Sequence, residues 1–192
     1  MTSRDQNAVI RALLERLEAH MSGERGHAER VSVYATATAY ELGVRDEELL
    51  HVRWAAELHD VGKLLMEAEL LQAPPVHADK EALRQHAVLA QSALRGHEFL
   101  KPALPQARHH HERFDGGGYP DGLIASKIPL GSRVIAVAEV FDVLTFAPHW
   151  RERVSVDEAI GEIERCAGTQ FDPEVVEAFK CVQPLIQPLR TN

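Results

Sequence analysis

Cysteine is scarce in this chain, with only two among 192 residues, Cys166 and Cys181. Both lie far in sequence from the histidine clusters described below. A small secreted domain held together by disulfides typically carries several cysteine pairs. We therefore expect reduced cysteines in a cytoplasmic protein.

Long apolar runs are also missing. No stretch of about 18 consecutive apolar residues is present, which argues against a transmembrane helix. The first 20 residues mix charges with apolar positions at helical spacing, which does not fit a secretory signal. The sequence therefore predicts no membrane partner.

Positive charge is in the minority, since 21 Lys and Arg residues stand against 29 Asp and Glu residues, for a formal net charge of −8. Such a chain as a whole is not attracted to the phosphates of DNA or RNA, so we expect no nucleic acid polymer as a partner. A small anionic substrate is compatible with this charge if bound cations reverse the local field.

No convincing strand, internal repeat or low-complexity segment is visible. A composition of 45% hydrophobic and 26% charged residues is ordinary for a globular protein, and 192 residues suffice for one closed core. Apolar residues recur at helical spacing in the segments 27–42, 47–58, 78–94, 131–145, 155–167 and from 173 onward. Residues 66–78, which include two adjacent prolines, are predicted to form a loop. The sequence thus predicts one all-α domain.

The chain divides into three predicted parts: an N-terminal amphipathic helix over 1–23, the main domain over 24–180 and a C-terminal tail over 181–192. One face of the first helix carries Val9, Leu13, Leu14 and Leu17. This pattern favours a helix that packs on the domain, and a helix that docks a partner or forms a homodimer is the alternative.

Histidine is abundant, with 11 residues, and the stretch 109–120, HHHERFDGGGYP, concentrates it. Imidazole is the commonest protein ligand for transition metals. Glycine runs let a backbone approach a ligand closely. The stretch therefore indicates a metal-binding helix end that leads into a loop lying against a ligand. Further histidines that could join it are His27, His59 and His86.

Two carboxylates interrupt an otherwise apolar helix. Glu139 and Asp142 lie three residues apart in VIAVAEVFD, so they share a face. Burying an ionised carboxylate costs several kcal/mol unless it is paired or coordinated. We therefore expect a cation beside Glu139.

These motifs resemble those of the HD-GYP phosphodiesterases, a branch of the HD-domain metal-dependent phosphohydrolases. The resemblance covers residues 24–180. The matching segments are HAERV at 27–31, HDVGK at 59–63, His86, HHERFDGGGYP at 110–120, IP at 128–129, RVIAVA at 133–138, FDVLT at 141–145, EA at 158–159 and GTQFDP at 168–173.

The resemblance implies a single HD-domain-like helical bundle, with a Gly-Tyr-Pro loop beside a central metal site, that hydrolyses cyclic di-GMP to pGpG, GMP or both. The implied metal ligands are His27, His59, Asp60, His86, His110, His111 and Glu139, with His109 outside the ligand set. The implied catalytic residues are Asp60, as a bridging ligand, and Lys63, as a holder of a phosphate oxygen. The implied substrate-binding residues are Lys63, Arg113, Asp115, Gly118, Tyr119 and Arg151.

Two divalent transition metal ions fit this chemistry. A pair of cations about 3.5–4 Å apart can activate water and stabilise both the attacking and the leaving oxygen of a phosphodiester. Mixed histidine and carboxylate ligands suit iron or manganese, although the sequence does not choose between metals.

The chain departs from the family pattern at four positions. Glu139 replaces the usual Asp. Gly23 stands one helical turn before His27, where relatives with a third metal have Glu. The neighbouring Glu24 is expected to be out of phase with His27 on the helix. Pro148 replaces an Arg and Ala73 a Lys, so that two cationic groups are lost and substrate binding is expected to weaken.

Two other functions stay open. One is a non-catalytic module that binds a cyclic dinucleotide or docks a protein partner through the Gly-Tyr-Pro loop. The other is an HD phosphohydrolase that acts on another nucleotide or another cyclic dinucleotide.

Overall fold

The computed structural model describes residues 1–71, 79–146 and 152–186. Its α-helices are α1 (Ser3–His20), α2 (Glu24–Glu41), α3 (Asp46–Glu57), α4 (Ala68–Leu71), α5 (Lys80–Ala93), α6 (Leu104–Arg108), α7 (Leu130–Phe146), α8 (Val156–Arg165) and α9 (Pro173–Ile186). Three short 3-10 helices occupy Val61–Leu65, Glu98–Leu100 and Ala125–Lys127. The described ranges contain no strand beyond one isolated bridge between Ala167 and Phe171, which confirms the all-α prediction.

Local sequence signals account for several helix ends. Thr2 and Ser155 each cap a helix through a reciprocal capping box, with Asp5 and Glu158 respectively. In such a box the side chain of the first residue and the carboxylate three residues on satisfy backbone N–H groups that the helix leaves free.

Two boundary predictions were wrong. Helix α2 begins at Glu24, three residues before the expected start at His27. The segment 66–78 was expected to be a loop. Its described residues, 66–71, contain the single helical turn α4. The earlier start of α2 matters for function, because it places Glu24 in the first helical turn next to the histidine.

Helix α7 lies at the centre of the molecule, as its nearly all-apolar sequence predicts, and it packs against α2, α6, α8 and α9. Three aromatic rings join these helices. Phe141 of α7 lies 5.1 Å from the ring of Tyr34 in α2 and 5.1 Å from the ring of Phe179 in α9. Such edge-to-face contacts add to the burial of apolar surface. This core fixes the α7 face that carries Glu139 and Asp142.

Helix α1 packs on the domain. Its buried residues, Ile10, Leu13, Leu14 and Leu17, face α2 and the 3-10 helix Val61–Leu65. This arrangement agrees with the packing interpretation of the amphipathic pattern.

The division of the chain at residues 23 and 180 stays a prediction. Helix α9 extends past residue 180 to Ile186. Among the described helices, none is both long enough and apolar enough to cross a membrane.

Candidate metal centre

Asp60 lies at the middle of a cluster of imidazoles. It follows the last residue of α3 by three positions and precedes the 3-10 helix Val61–Leu65. Its Oδ2 is 3.3 Å from His59 Nε2, and its Oδ1 is 3.4 Å from His86 Nε2. The two oxygens of one carboxylate thus face two different histidines, which is the arrangement of a bridging ligand.

The seven predicted ligands form two groups on either side of Asp60. Potential ligand atoms of His27, His59 and Glu139 lie within 4.8 Å of one another, and so do those of His86, His110 and His111. A third set, formed by His59, Asp60 and His110, connects the two groups within the same distance. The site therefore offers two neighbouring positions for cations.

Backbone carbonyls orient three of the imidazoles. The Nδ1 atoms of His59, His86 and His110 lie 2.8, 2.6 and 2.6 Å from the carbonyl oxygens of Ala56, Leu83 and Ala107, each three residues earlier. A carbonyl can only accept, so each Nδ1 donates its N–H to the backbone and each Nε2 faces the cluster. The three Nε2 atoms are thereby prepared as metal ligands.

The same three Nε2 atoms lack suitable hydrogen-bond donors. His86 Nε2 and His110 Nε2 lie 3.4 Å apart, and the fully buried His59 Nε2 makes no hydrogen bond within the described residues. Lone pairs directed at one another in a buried site are unfavourable unless a proton or a cation lies between them. The donor set, of imidazole nitrogens and carboxylate oxygens, thus fits divalent transition metals.

A buried carboxylate orients the fourth imidazole. Asp142 Oδ2 accepts a hydrogen bond from His27 Nδ1 at 2.8 Å. Arg30, one turn after His27, donates to both oxygens of Asp142 at 2.6 and 2.9 Å. Asp142 is 1% exposed, so Arg30 supplies the cation that its burial requires. His27 keeps its Nε2 for the metal group that it shares with His59 and Glu139.

Glu139 and His111 complete the cluster near its opening. Their closest atoms, Glu139 Oε2 and His111 Nδ1, lie 3.9 Å apart, and both side chains are partly exposed. The Tyr119 ring stacks on His111, with centroids 4.8 Å apart and planes 28° apart. The tyrosine of the Gly-Tyr-Pro loop therefore covers one imidazole of the cluster.

The charges of the cluster reinforce one another. Burial alone would raise the pKa of Asp60, but Lys63 and His59 hold it well below its ordinary value. Burial opposes protonation of His59, yet the Asp60 carboxylate outweighs it and raises the pKa of His59 to about 9. Burial and the neighbouring imidazoles lower the pKa of His110 well below its ordinary value. These shifts favour a protonated His59 and an ionised Asp60 next to a neutral His110.

Lys63 lies between two buried carboxylates. Its Nζ is 2.8 Å from Asp60 Oδ2 and 3.1 Å from Glu24 Oε1, and its side chain is 18% exposed. Burial and the charge of Asp60 raise the pKa of Glu24. The second oxygen of Glu24, Oε2, is buried and accepts no hydrogen bond from the residues that the structure describes.

Sequence reasoning missed Glu24. The expectation that it is out of phase with His27 was wrong, because residues three apart on a helix share a face and α2 already begins at Glu24. Glu24 therefore reaches the cluster from the first helical turn. A signal was available in the three-residue spacing from His27.

The glycine of the HDVGK motif permits the approach of α5. A Cβ built on Gly62 would lie 1.9 Å from the carbonyl oxygen of His86. Any side chain at this position would displace the backbone that carries His86. Gly62 thereby sets the distance between Asp60 and the second metal group.

Hydrogen bonds and ion pairs fix the segment that follows the Gly-Tyr-Pro loop. The buried Glu112 carboxylate accepts hydrogen bonds from the backbone N–H groups of Asp121 and Leu123 at 2.7 and 3.1 Å. Asp121 in turn pairs with Arg108 at 2.8 Å and with His109 Nε2 at 2.8 Å. His109 thereby contacts Asp121 and does not belong to the groups around Asp60.

Comparison with known proteins identifies the family. The model of the family described as HD domain matches residues 11–175. The chain belongs to the HD domain family. Its resemblance to the HD-GYP branch is confirmed by curated relatives with phosphodiesterase names.

Among these relatives is the cyclic di-GMP phosphodiesterase response regulator RpfG of Xanthomonas campestris, 34% identical over 91% of this chain and 47% of its own length. Another is the 3'3'-cGAMP-specific phosphodiesterase 3 of Vibrio cholerae, 33% identical over 90% of this chain and 38% of its own length. The chain thus spans less than half of these relatives. A crystal structure of a cyclic GMP-AMP-specific phosphodiesterase from V. cholerae is 20% identical and superposes with a TM-score of 0.72 over 94% of this chain and 49% of that chain, which shows a shared fold.

The other predicted substrate-binding residues of this HD domain lie in or after the loop. Arg113 and Asp115 pair with each other, with Nη2 and Oδ2 2.6 Å apart, and both side chains are partly exposed. Gly118 packs against the backbone, since a Cβ there would lie 2.3 Å from the Arg113 nitrogen. Arg151, Pro148 and Ala73 lie outside the described residues, so the expectations about them stay predictions.

Proposed function

We propose that this HD domain is a metal-dependent phosphodiesterase that hydrolyses cyclic di-GMP to pGpG, GMP or both. The observation that carries the proposal is the convergence of seven imidazole and carboxylate side chains, from distant parts of the chain, into two adjacent groups around Asp60. A module that only binds a ligand or a protein has no need of so complete a set of metal ligands.

Two divalent ions are proposed, one in each group. His27, His59 and Glu139 would hold the first, His86, His110 and His111 would hold the second, and Asp60 would bridge them. Bound in this way, the ions would activate water and neutralise charge on the scissile phosphodiester. Iron and manganese are proposed because both accept mixed imidazole and carboxylate ligands.

The remaining roles belong to the protein's own side chains. Lys63 lies beside the bridging carboxylate, so its ammonium group would hold a non-bridging phosphate oxygen once it exchanges its contact with Glu24. Tyr119 covers His111 and would pack against the bound nucleotide. Arg113, Asp115, Gly118 and Arg151 are proposed as further contacts to the nucleotide, with a smaller share of the binding free energy.

The proposed activity is tested with protein prepared anaerobically and loaded with Fe²⁺ or Mn²⁺. We expect cyclic di-GMP to disappear and pGpG or GMP to form, as separated by liquid chromatography. Asp60→Ala should abolish turnover and metal retention, whereas Lys63→Ala should mainly raise KM. Metal-loaded protein that binds cyclic di-GMP and leaves it intact would contradict the proposal and favour a binding module.

A second substrate, 3'3'-cGAMP, is favoured by one observation. A relative named as specific for this dinucleotide is 33% identical, close to the 34% of the relative named for cyclic di-GMP. A competition assay with equimolar cyclic di-GMP, 3'3'-cGAMP and cyclic di-AMP gives the ratios of kcat/KM directly. The first substrate to be depleted identifies the preference.

A further inference from the structure

Arg84 of α5 lies at the opening of the metal centre. Its guanidinium carbon is 5.1 Å from the centroid of the Tyr119 ring. The same ring stacks on His111, which belongs to the second metal group. Arg84, Tyr119 and His111 thus form a row that leads from the surface to the metal ligands.

Tyr119 adds a hydrogen-bond donor beside Arg84. Its phenol hydroxyl can donate a hydrogen bond to an anion. A cation and a hydroxyl donor stand side by side at the opening.

Arg84 is held only loosely by its own partner. It pairs with Glu81 at 3.1 Å, and the two side chains are 51% and 75% exposed. Exposed pairs one helical turn apart contribute at most about 1 kcal/mol, so an anionic ligand can displace Glu81 at little cost.

Other cations near the centre are more firmly occupied. Lys63 contacts two buried carboxylates, and Arg30 donates to both oxygens of the buried Asp142. Among these described cations, Arg84 is the one whose partner is mostly in solvent.

We propose that Arg84 and Tyr119 form a second anion subsite, which receives the phosphodiester group of a cyclic dinucleotide that is not being cleaved. The proposal rests on the proposed function, because only a substrate with two phosphodiesters places a second anion beside the one at the metals. The planar guanidinium would donate two parallel hydrogen bonds to the phosphate oxygens, with the Tyr119 hydroxyl as an additional donor. Arg84 would also offset the repulsion between this second anion and the carboxylate of Glu139.

The test compares a substrate with two phosphodiesters and a probe with one. Arg84→Ala should raise KM for cyclic di-GMP about 10- to 100-fold, as expected for loss of a charge-assisted hydrogen bond, with kcat changed less than about threefold. For bis(p-nitrophenyl) phosphate, the loss of kcat/KM should be at least about tenfold smaller. Arg84→Lys should restore part of the affinity, because it keeps the charge and loses the planar fork.

Two further variants serve as controls. Arg95→Ala removes an exposed arginine beyond the other end of α5 and should leave KM unchanged, which excludes a general effect of net charge. Glu81→Gln removes the competing carboxylate, so KM for cyclic di-GMP should stay the same or fall.

Several outcomes would overturn the inference. An unchanged KM in Arg84→Ala, or equal losses on both substrates, would exclude a second-phosphate subsite. An increase in KM for cyclic di-GMP without one for cyclic di-AMP would assign Arg84 to a guanine base instead. If wild-type protein cleaves bis(p-nitrophenyl) phosphate but neither binds nor cleaves a cyclic dinucleotide, then the proposed function fails together with the subsite. Cleavage of cyclic di-GMP with no effect of Arg84→Ala would overturn the subsite alone.

Discussion

The Asp142 carboxylate accepts a hydrogen bond from His27 Nδ1 at 2.8 Å, across 115 residues of sequence. This contact fixes the ring of His27 and directs its Nε2 toward His59 and Glu139. Carboxylates that orient a ligating imidazole in this way support metal affinity without touching the metal. The family motif names His27, but the position of its ring depends on a residue in the central helix.

Replacing Asp142 should therefore weaken metal binding. Asp142→Ala leaves His27 without its acceptor and Arg30 without its partner, so affinity for Mn²⁺ should fall about 10- to 100-fold. Competition with a fluorescent chelator measures this affinity, and elemental analysis measures the stoichiometry.

A second buried carboxylate provides a matched control for Asp142. Asp172 is 5% exposed and pairs with Arg133, away from the cluster. Asp172→Ala should lower the free energy of unfolding while Mn²⁺ affinity stays within about threefold of wild type. Equal losses of metal affinity in both variants would show that Asp142 acts through general stability.

The proposed ligands could be named from the sequence through the family resemblance, because most of them lie in short motifs that match the family pattern. His59 and Asp60 are adjacent, His110 and His111 are adjacent, and Glu139 interrupts an apolar helix. The structure brings these residues together as expected.

The supporting contacts could not be predicted in the same way. The pairing of Arg108 and His109 with Asp121 depends on how the loop closes, which local propensity does not determine. Glu24 was missed because helix boundaries are less evident in a sequence than helix interiors, and α2 begins three residues before the expected start. Arg84 gave no signal, since its role depends on a ring 35 positions away in the chain.

Lys63 should be coupled energetically to Glu24. Lys63→Met leaves Glu24 and Asp60 as neighbouring buried carboxylates without the ammonium group that contacts both, so metal-free protein should lose about 3–5 kcal/mol of unfolding free energy. Adding Glu24→Gln to Lys63→Met should recover about 1–3 kcal/mol of this loss. Urea denaturation of the four proteins of the double-mutant cycle measures the coupling.

An exposed pair gives the comparison for this cycle. Arg25 and Glu29 lie 2.9 Å apart on α2, and their side chains are 43% and 55% exposed. The cycle of Arg25→Met and Glu29→Gln should show a weaker coupling than the buried pair, because water and salt screen exposed charges. A Lys63–Glu24 coupling no larger than that of Arg25 and Glu29 would mean that the buried contact contributes little.

Metal binding should release a proton from His59. Its pKa of about 9 keeps the imidazole protonated at pH 7.5 in metal-free protein, whereas a ligating imidazole must be neutral. His110 and His111, with lowered pKa values, are already neutral and release none. Mn²⁺ affinity should therefore rise with pH between about 7 and 9 and level off above the pKa of His59.

Titration calorimetry with Mn²⁺, in two buffers of different ionisation enthalpy, measures the number of protons released. We expect a value near one at pH 7.5 and a value near zero at pH 10. Asp60→Asn removes the carboxylate that raises the pKa of His59, so in the metal-free variant the titration of His59, followed by NMR, should move to lower pH. A wild-type enthalpy that is the same in both buffers at pH 7.5 would show that His59 is neutral before metal binds.

Gly118 should tolerate no side chain, because a Cβ there would lie 2.3 Å from the Arg113 nitrogen and 2.5 Å from the Glu112 Cα. Both are backbone atoms, so the loop itself must shift and carry Tyr119 away from His111. Gly118→Ala should lower kcat/KM for cyclic di-GMP at least about tenfold while Mn²⁺ stoichiometry is kept, since the proposed ligands lie before and after the Gly-Tyr-Pro segment and not in it. Gly161→Ala is the matched control, because nothing lies within 4 Å of its Cβ in α8, and it should raise unfolding free energy by up to about 1 kcal/mol. Activity that survives Gly118→Ala unchanged would show that the stacking of Tyr119 on His111 is dispensable for turnover.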